Sequence, residues 1–519
     1  MPVIEQFVHN GATILREPAP SPMGPLGRAV FGLVGTAPDA HPDIPRSKAY
    51  WVNNKAALAK LDTTGQERGT LWRVCNAMLN AAQCSIYVVI EDEDNSVPPA
   101  AKAYEGTIVS AKANADTTLA VTLVDPTLLE AVVGAQAASW TATINGKTST
   151  LVSYIPGETN VLTLKGDGAI KLADLTAQSK IVINGKDLTA SGTIAKIVGG
   201  VDPLTGRRTG IAALAADIPE TLTDIAAPGF SHKAVHDALA QMATRLYAAP
   251  ALEGTSTTDE AVIALSQSLG VAGTGYAGAT LVDPFVKVWS NAIKGYVYMS
   301  GVAHYLSCVA RVDVHENPGQ GRMNVYIDGC QRTIDYNLLD KTSGGNRLNK
   351  YGVCYFGRTS RGGFSLIGNR TLSGRFINLE RLELAIIRKL IATTEPGMGQ
   401  LLTKEFMESK VASLQNWLDS EASAGKLIGA NVYLHPTLNN ADNYRNGEWH
   451  IVIGYAGYSP NEHMVYHLRE DVGIVGRSKS THDAADHGRW TPYHAGNRLL
   501  GIRSPEEETG GYRWQLHRR

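Results

Sequence analysis

Apolar positions along the chain fall into two alternating patterns. The run AVFGLVGT from Ala29 to Thr36 and SIYVVIEDE from Ser85 to Glu93 predict short buried strands. Between them Leu71, Cys75, Met78 and Ala82 recur at the spacing of one helix face. Strands alternating with amphipathic helices predict a layered α/β unit with a partly parallel sheet. The pattern resumes with a strand at Thr223–Ala227, a helix carrying Val235, Leu239, Met242 and Leu246 with Ser231 as its N-cap, a helix from Asp259, and one strand over Ala279–Trp289.

Two stretches break this rhythm. After Pro98 and Pro99 come Thr-, Val- and Gly-rich runs with turn signals at Asn145-Gly146, Gly166-Asp167-Gly168 and Asn184-Gly185. They predict an inserted β domain in which two echoes sharing Ile-Asn-Gly-Lys, too short a match to make a repeat, read as one hairpin used twice. From Ile377 a helix with Leu382, Ile386 and Leu390 precedes a second, from about Gln400 to Ala424, with Met407, Val411, Leu414 and Leu418 on one stripe and Lys404 and Lys410 at its edges. Strands at Ile428–His435, Glu448–Tyr455 and His463–Leu468 follow. The start, Met1–Leu26, with Pro18, Pro20, Pro22 and Pro25, reads as an extended arm.

The expected fold class is therefore α/β and α+β multidomain. It has a discontinuous α/β core over 28–98 and 199–376, a β insert over 99–198, a small C-terminal α+β domain over 377–470, and terminal arms over 1–27 and 471–519. A length of 519 residues agrees with several domains of roughly 100–200 residues each.

Composition narrows the chemistry. A formal charge of -1 argues against a nucleic-acid partner, and no apolar run reaches the roughly 18 residues of a membrane helix. Residues 1–10 lack the basic and apolar regions of a signal peptide, so a cytoplasmically made protein is expected. Cys75, Cys84, Cys308, Cys330 and Cys354 have no zinc-knuckle spacing and read as buried thiols. Gly273, Gly275 and Gly278 spell G-x-G-x-x-G, but a helix precedes them and a strand follows, the inverse of a dinucleotide site. His482, His487 and His494 have no helical pairing, and no nucleophile elbow or phosphate loop occurs. No catalytic, cofactor-binding or metal residue is assigned, and no cofactor is expected.

Three stretches carry a resemblance to the contractile tail sheath family of myovirus tails, R-type bacteriocins and, remotely, type VI secretion sheaths. RAVFGLVGTAPDA at Arg28–Ala40 looks like that family's first core strand, and DIAAPGFS at Asp224–Ser231 with the helix after it is similar to its core strand and helix. Gly368-Asn369-Arg370-Thr371-Leu372 and Phe376-Ile377-Asn378-Leu379-Glu380-Arg381 resemble the family's element leading into an arginine-bearing helix, with Gly368-Asn369 in place of the usual Trp-Gly. The resemblance covers about 1–95 and 200–470; the chain runs on beyond the strand that normally ends the family.

It implies a structural subunit that stacks in hexameric rings around a tail tube protein and contracts, with baseplate and tail terminator proteins as further partners, in a virion assembled in a bacterial cytoplasm. Ile4, Phe7 and Val8 of the arm and Met464, Val465 and Tyr466 near the C-terminus are the expected strand-exchange residues between subunits. The second C-terminal helix is expected to meet the tube through Lys404 and Lys410. An α/β hydrolase or nucleotide-dependent enzyme, and a tube or capsid protein, stand as the alternatives.

Overall fold

The computed structural model describes residues 26–94, 100–114, 118–123, 141–155, 160–166, 168–187, 192–216, 218–270, 276–360, 362–468 and 470. Strand β1 (Val30–Thr36) pairs in parallel with β3 (Ser85–Glu91) over seven residues; β2 (Ala49–Val52) lies antiparallel on the outside of β3. Helices α1 (Lys55–Ala59) and α2 (Leu71–Ala81) lie between them in sequence. Along β3, Ile86, Val88 and Ile90 join one apolar cluster and Tyr87 and Val89 another. Both faces are thus covered, as a parallel strand requires.

The chain then makes a closed barrel of β4 (Ala100–Ala113), β5 (Thr118–Leu123), β6 (Thr141–Ile144), β7 (Lys147–Ile155), β8 (Asn160–Lys165) and β9 (Lys180–Asp187), in the order β4-β5-β8-β7-β6-β9. Strand β4 closes it by serving two neighbours: its first half pairs with β9, its second with β5, and the register shifts between Ile108 and Ser110. A bulge of this kind bends a strand around a corner. Asn145-Gly146 forms the predicted β6–β7 turn, but Asn184-Gly185 does not turn. Asn184 and Gly185 lie inside β9 opposite Ala103 and Lys102. The two Ile-Asn-Gly-Lys echoes are one hairpin and one straight strand, because pairing on both sides of β9 overrides a local turn preference. The barrel's neck is narrow: Asp94 N–H donates to Thr193 Oγ1 at 2.7 Å, at the start of α3 (Gly192–Val198).

A small ribbon of β10 (Gly200–Val201) and β11 (Arg208–Thr209) leads back to the main sheet. There β12 (Asp224–Ala226), α4 (Lys233–Leu246), β13 (Ala249–Glu253), α5 (Asp259–Leu269) and β14 (Thr280–Val282) continue the parallel order. Ser231 is not the cap of α4; His232 holds that position and makes no side-chain cap bond. Thr258 does cap α5, accepting from Ala261 N–H. Helix α5 is buried on nearly every side, between the sheet and strand β7 of the barrel.

The single strand expected over 279–289 is two, because Asp283-Pro284 interrupts it. Beyond β14, β15 (Val286–Ser290) turns into a separate antiparallel sheet with β16 (Gly295–Met299) and, across helix α6 (Gly301–Ala310) and β17 (Asn324–Val325), β18 (Gly329–Cys330). After α7 (Gly344–Lys350), β19 (Val353–Arg358) returns to the main sheet beside β14, and β20 (Phe364–Ile367) with β17 completes the order β17-β20-β19-β14-β13-β12-β1-β3-β2. The last elements are α8 (Ile377–Thr394), α9 (Lys404–Ser423), β21 (Gly429–Leu434), α10 (Ala441–Arg445) and β22 (Ile451–Ala456). These mixed sheets and helices make an α/β chain of several cores.

Candidate assembly surfaces

In a doubly wound sheet, ligands bind outside the strand C-termini where the strand order reverses, here between β1 and β12. The chain itself fills that place. Thr70 N–H donates to Thr36 O at 2.9 Å, and the Gly229 turn, at φ +89°, puts its Cα side 3.1 Å from the Thr70 methyl where a Cβ would stand. The buried carboxylates nearby act as caps. Glu253 accepts from Gly229 N–H at 3.0 Å, Gly301 N–H at 3.1 Å and Ser300 Oγ, and burial pushes its pKa up to about 7. Asp283, also raised by burial, accepts from Ser256 N–H at 2.6 Å and pairs with Arg332. Glu91 accepts from Gly210 N–H at 2.6 Å and Ser47 Oγ at 2.9 Å. Each carboxylate holds a loop to a strand end. A cavity of about 1400 Å³ lies at the opposite end of the sheet among Val30, Ser85, Thr223 and Arg388.

The C-terminal elements form their own core: Leu382 and Ile386 of α8, Leu414, Trp417 and Leu418 of α9, Leu427, and Val432 of β21. Trp417 escaped the sequence pattern because the expected stripe was read through Met407 and Val411, which are only half-buried. Two residues of the arginine-bearing element fasten α8 to its surroundings. Arg381 Nε lies 3.4 Å from Asp224 Oδ1, both buried, and Asn378 Nδ2 donates to the carbonyls of His315 at 3.1 Å and Tyr458 at 2.8 Å. Gly368, at φ +122°, has Cys354 atoms where a side chain would go, so this position holds no tryptophan.

Chain entry meets the same core. Leu26 packs against it and donates its N–H at 3.0 Å to Glu421 Oε1, whose carboxylate also takes Trp417 Nε1 and Lys426 Nζ. Strands β21 and β22 pair only with each other among the described residues, leaving an outer edge on each. A two-stranded ribbon of this kind is an open template for further strands. Ile4, Phe7 and Val8 lie outside the described residues. At the other end Arg370 clamps Glu462 with Nε and Nη2, at 3.1 and 2.6 Å. Among the described residues, 463–468 form no strand, and Met464, Val465 and Tyr466 are exposed.

The two lysines are not equivalent. Lys404 is exposed, 3.8 Å from Glu408, whereas Lys410 donates to the Thr393 carbonyl at 2.5 Å and burial lowers its pKa. The outward face of α9 also carries Glu405, Glu408 and Asp419, a charge balance that spacing alone did not bring out. Gly273, Gly275 and the three tail histidines fall outside the described residues, as does the arm over 1–25 and the extension over 471–519. Among the described residues no cluster of metal-ligating side chains occurs and no helix is long and apolar enough to cross a membrane.

No protein-family model matches the chain. A prophage major tail sheath protein of Pseudomonas aeruginosa (strain UCBPP-PA14) is 26% identical over 299 residues, covering 55% of this chain and 75% of the relative. The chain is similar in sequence to a contractile tail sheath protein. Solved structures, a contractile sheath among them, share its fold. The sheath of an extracellular contractile injection system, PVC, in the contracted state matches 90% of the chain and 99% of its own length at a TM-score of 0.52 and 14% identity. A chain of the anti-feeding prophage baseplate in the contracted state matches 90% and 98% at 0.51 and 13% identity. The sequence likeness supports a structural subunit of a contractile sheath as the role of this chain, and the solved structures agree with it in fold.

Proposed function

We propose that the chain polymerises as stacked hexameric rings around a tail tube and contracts to drive that tube through a host envelope, in a phage tail assembled in a bacterial cytoplasm. The energy is stored in assembly, so the subunit acts without catalysis or cofactor. Rings must stay joined while their side-chain contacts repack, and main-chain hydrogen bonds of an added strand survive such repacking. The observation that carries this reading is the β21–β22 ribbon. Among the described residues it has two free edges, shares a core with Leu26, where the arm enters, and is followed by an exposed segment carrying Met464, Val465 and Tyr466. The arm residues Ile4, Phe7 and Val8 of one subunit and the 463–468 segment of another add to those edges. Helix α9 faces the tube, with Lys404 as its exposed cation and Lys410 beside it, and the 99–198 insert hangs on the outside. Baseplate and terminator proteins cap the two ends of the polymer.

Negative-stain electron microscopy of purified protein tests the reading. Helical tubes of uniform width are the expected result. A monodisperse monomer or small oligomer at every concentration and salt condition would overturn it.

A further inference from the structure

Two exposed features complement each other in apolar character and charge. The antiparallel pairs Lys287 with Tyr298 and Trp289 with Tyr296 place all four side chains on one face of the β15–β16 hairpin. The opposite face, with Val286, Val288 and Met299, is packed into the core. On the outer face Trp289, Tyr296 and Tyr298 are each about half exposed. Trp289 and Tyr296 meet edge-on with centroids 5.3 Å apart, and Lys287 Nζ sits 4.4 Å over the Tyr296 ring.

The second feature is the loop between β18 and α7. Leu338 and Leu339 are 80% and 91% exposed. The backbone that carries them is fixed: Asn337 Oδ1 accepts from Leu339 N–H at 2.9 Å and Asp340 N–H at 3.2 Å, while Asp340 Oδ1 accepts from Thr342 N–H at 2.8 Å. The result is an apolar knob ending in a carboxylate that Thr342 holds ionised below the usual range.

The geometry points to a contact between copies: the Leu338-Leu339-Asp340 knob of one subunit docks on the Trp289, Tyr296, Tyr298 and Lys287 face of the next. The leucines cover the aromatic rings and Asp340 meets Lys287. Three half-exposed aromatics offer only a few hundred Å², against the roughly 1,200–2,000 Å² of an independently stable interface. Such a patch holds a partner only where other contacts add to it, as in a lattice of identical subunits. A knob on one surface meeting a face on another is head-to-tail, the kind of contact that propagates into rings or helices. The inference rests on the sheath reading above.

The test uses the full chain and the lowest concentration at which it polymerises, read by sedimentation and electron microscopy. Leu338→Ser with Leu339→Ser, Trp289→Ser with Tyr298→Ser, and Lys287→Glu are each expected to raise that concentration by about tenfold, the size of a modest hot spot. The thermal midpoint of the monomer should stay unchanged, because these side chains are exposed. Combining the knob and face substitutions should raise it no further than either alone. Variants that polymerise like the wild type overturn the contact and leave the sheath reading standing, whatever else the two surfaces meet. Additive effects overturn the pairing of knob with face. A wild-type chain that never polymerises overturns both readings.

Discussion

Asp224 and Arg381 meet across 157 positions of sequence, Oδ1 to Nε at 3.4 Å, in the interior of the molecule. One opens strand β12 and the other lies in the second turn of α8, so this pair joins the parallel sheet to the C-terminal layer. A buried pair that loses one partner leaves an uncompensated charge, at a cost of about 3–5 kcal/mol. Arg381→Met alone should lower the urea midpoint sharply, and adding Asp224→Asn should recover part of the loss. Equal stability of the single and double variants would show that the charges do not interact.

Acid should loosen the core. Burial holds His232, His236 and His304 near about 4, against 6.5 for a free imidazole. The unfolded chain therefore takes up their protons first. Their contribution is intact above about pH 6.5 and is lost as pH falls toward 4, by up to a few kcal/mol per histidine. Glu253 runs the other way: raised from 4.5 to about 7, it favours the fold at low pH and loses that advantage as pH rises through this window. With three groups against one, urea midpoints are expected to fall between pH 6.5 and 4. His304→Phe, which preserves the edge-on contact with Phe356, should flatten the slope; an unchanged slope would assign it elsewhere.

Deleting residues 1–16 should give a folded monomer with a thermal midpoint near that of the full chain, because Leu26 and its bond to Glu421 remain. The truncated protein is expected not to form tubes. Normal tubes would refute strand exchange by the arm, and failure to fold would place the arm in its own subunit's core.

Replacing residues 95–191 by a short Gly-Ser bridge should leave polymerisation intact, since Asp94 and Thr193 already touch. The cost should appear as a lower thermal midpoint, because α5 loses its cover by β7. Loss of all polymer would show that the barrel takes part in the lattice.

Lys404→Glu is expected to weaken co-assembly with tube protein while sparing empty sheath. Its solvent exposure limits the effect to about 0–1 kcal/mol per subunit, summed over a ring. Lys410→Glu should act instead on the fold, by removing the bond to the Thr393 carbonyl. Tube binding unaffected by Lys404→Glu would turn α9 away from the tube.

What was legible in the sequence was periodic. Strands β1 and β3 and helices α2, α4, α8 and α9 stand where their apolar spacing placed them, although α9 buries its marked stripe only at Leu414 and Leu418. Glycines carry a further reason that periodicity cannot show: a Cβ on Gly35 would stand 2.4 Å from Thr70 Oγ1, so the opening strand needs glycine to let α2 approach. Long-range pairing was not legible. Gly185 extends a strand because β4 supplies a partner, and 463–468 shows strand composition but pairs with no strand among the described residues. For the candidate surfaces, residue types were readable but exposure was not: Lys410 and Lys404 look alike in sequence and differ in what they touch.

The neck at Asp94 and Thr193 bears on how the chain folds. Phe31 must find Asp224 to set β1 beside β12, a closure of 193 residues. Once the barrel has closed on itself, about half of that length behaves as a single short turn. Loop-closure entropy grows by only about 0.6 kcal/mol per doubling, so the long insertion burdens the search for the β1–β12 register by roughly that amount, and a prefolded barrel removes even this. A neck of this kind makes the position hospitable to domains of very different size.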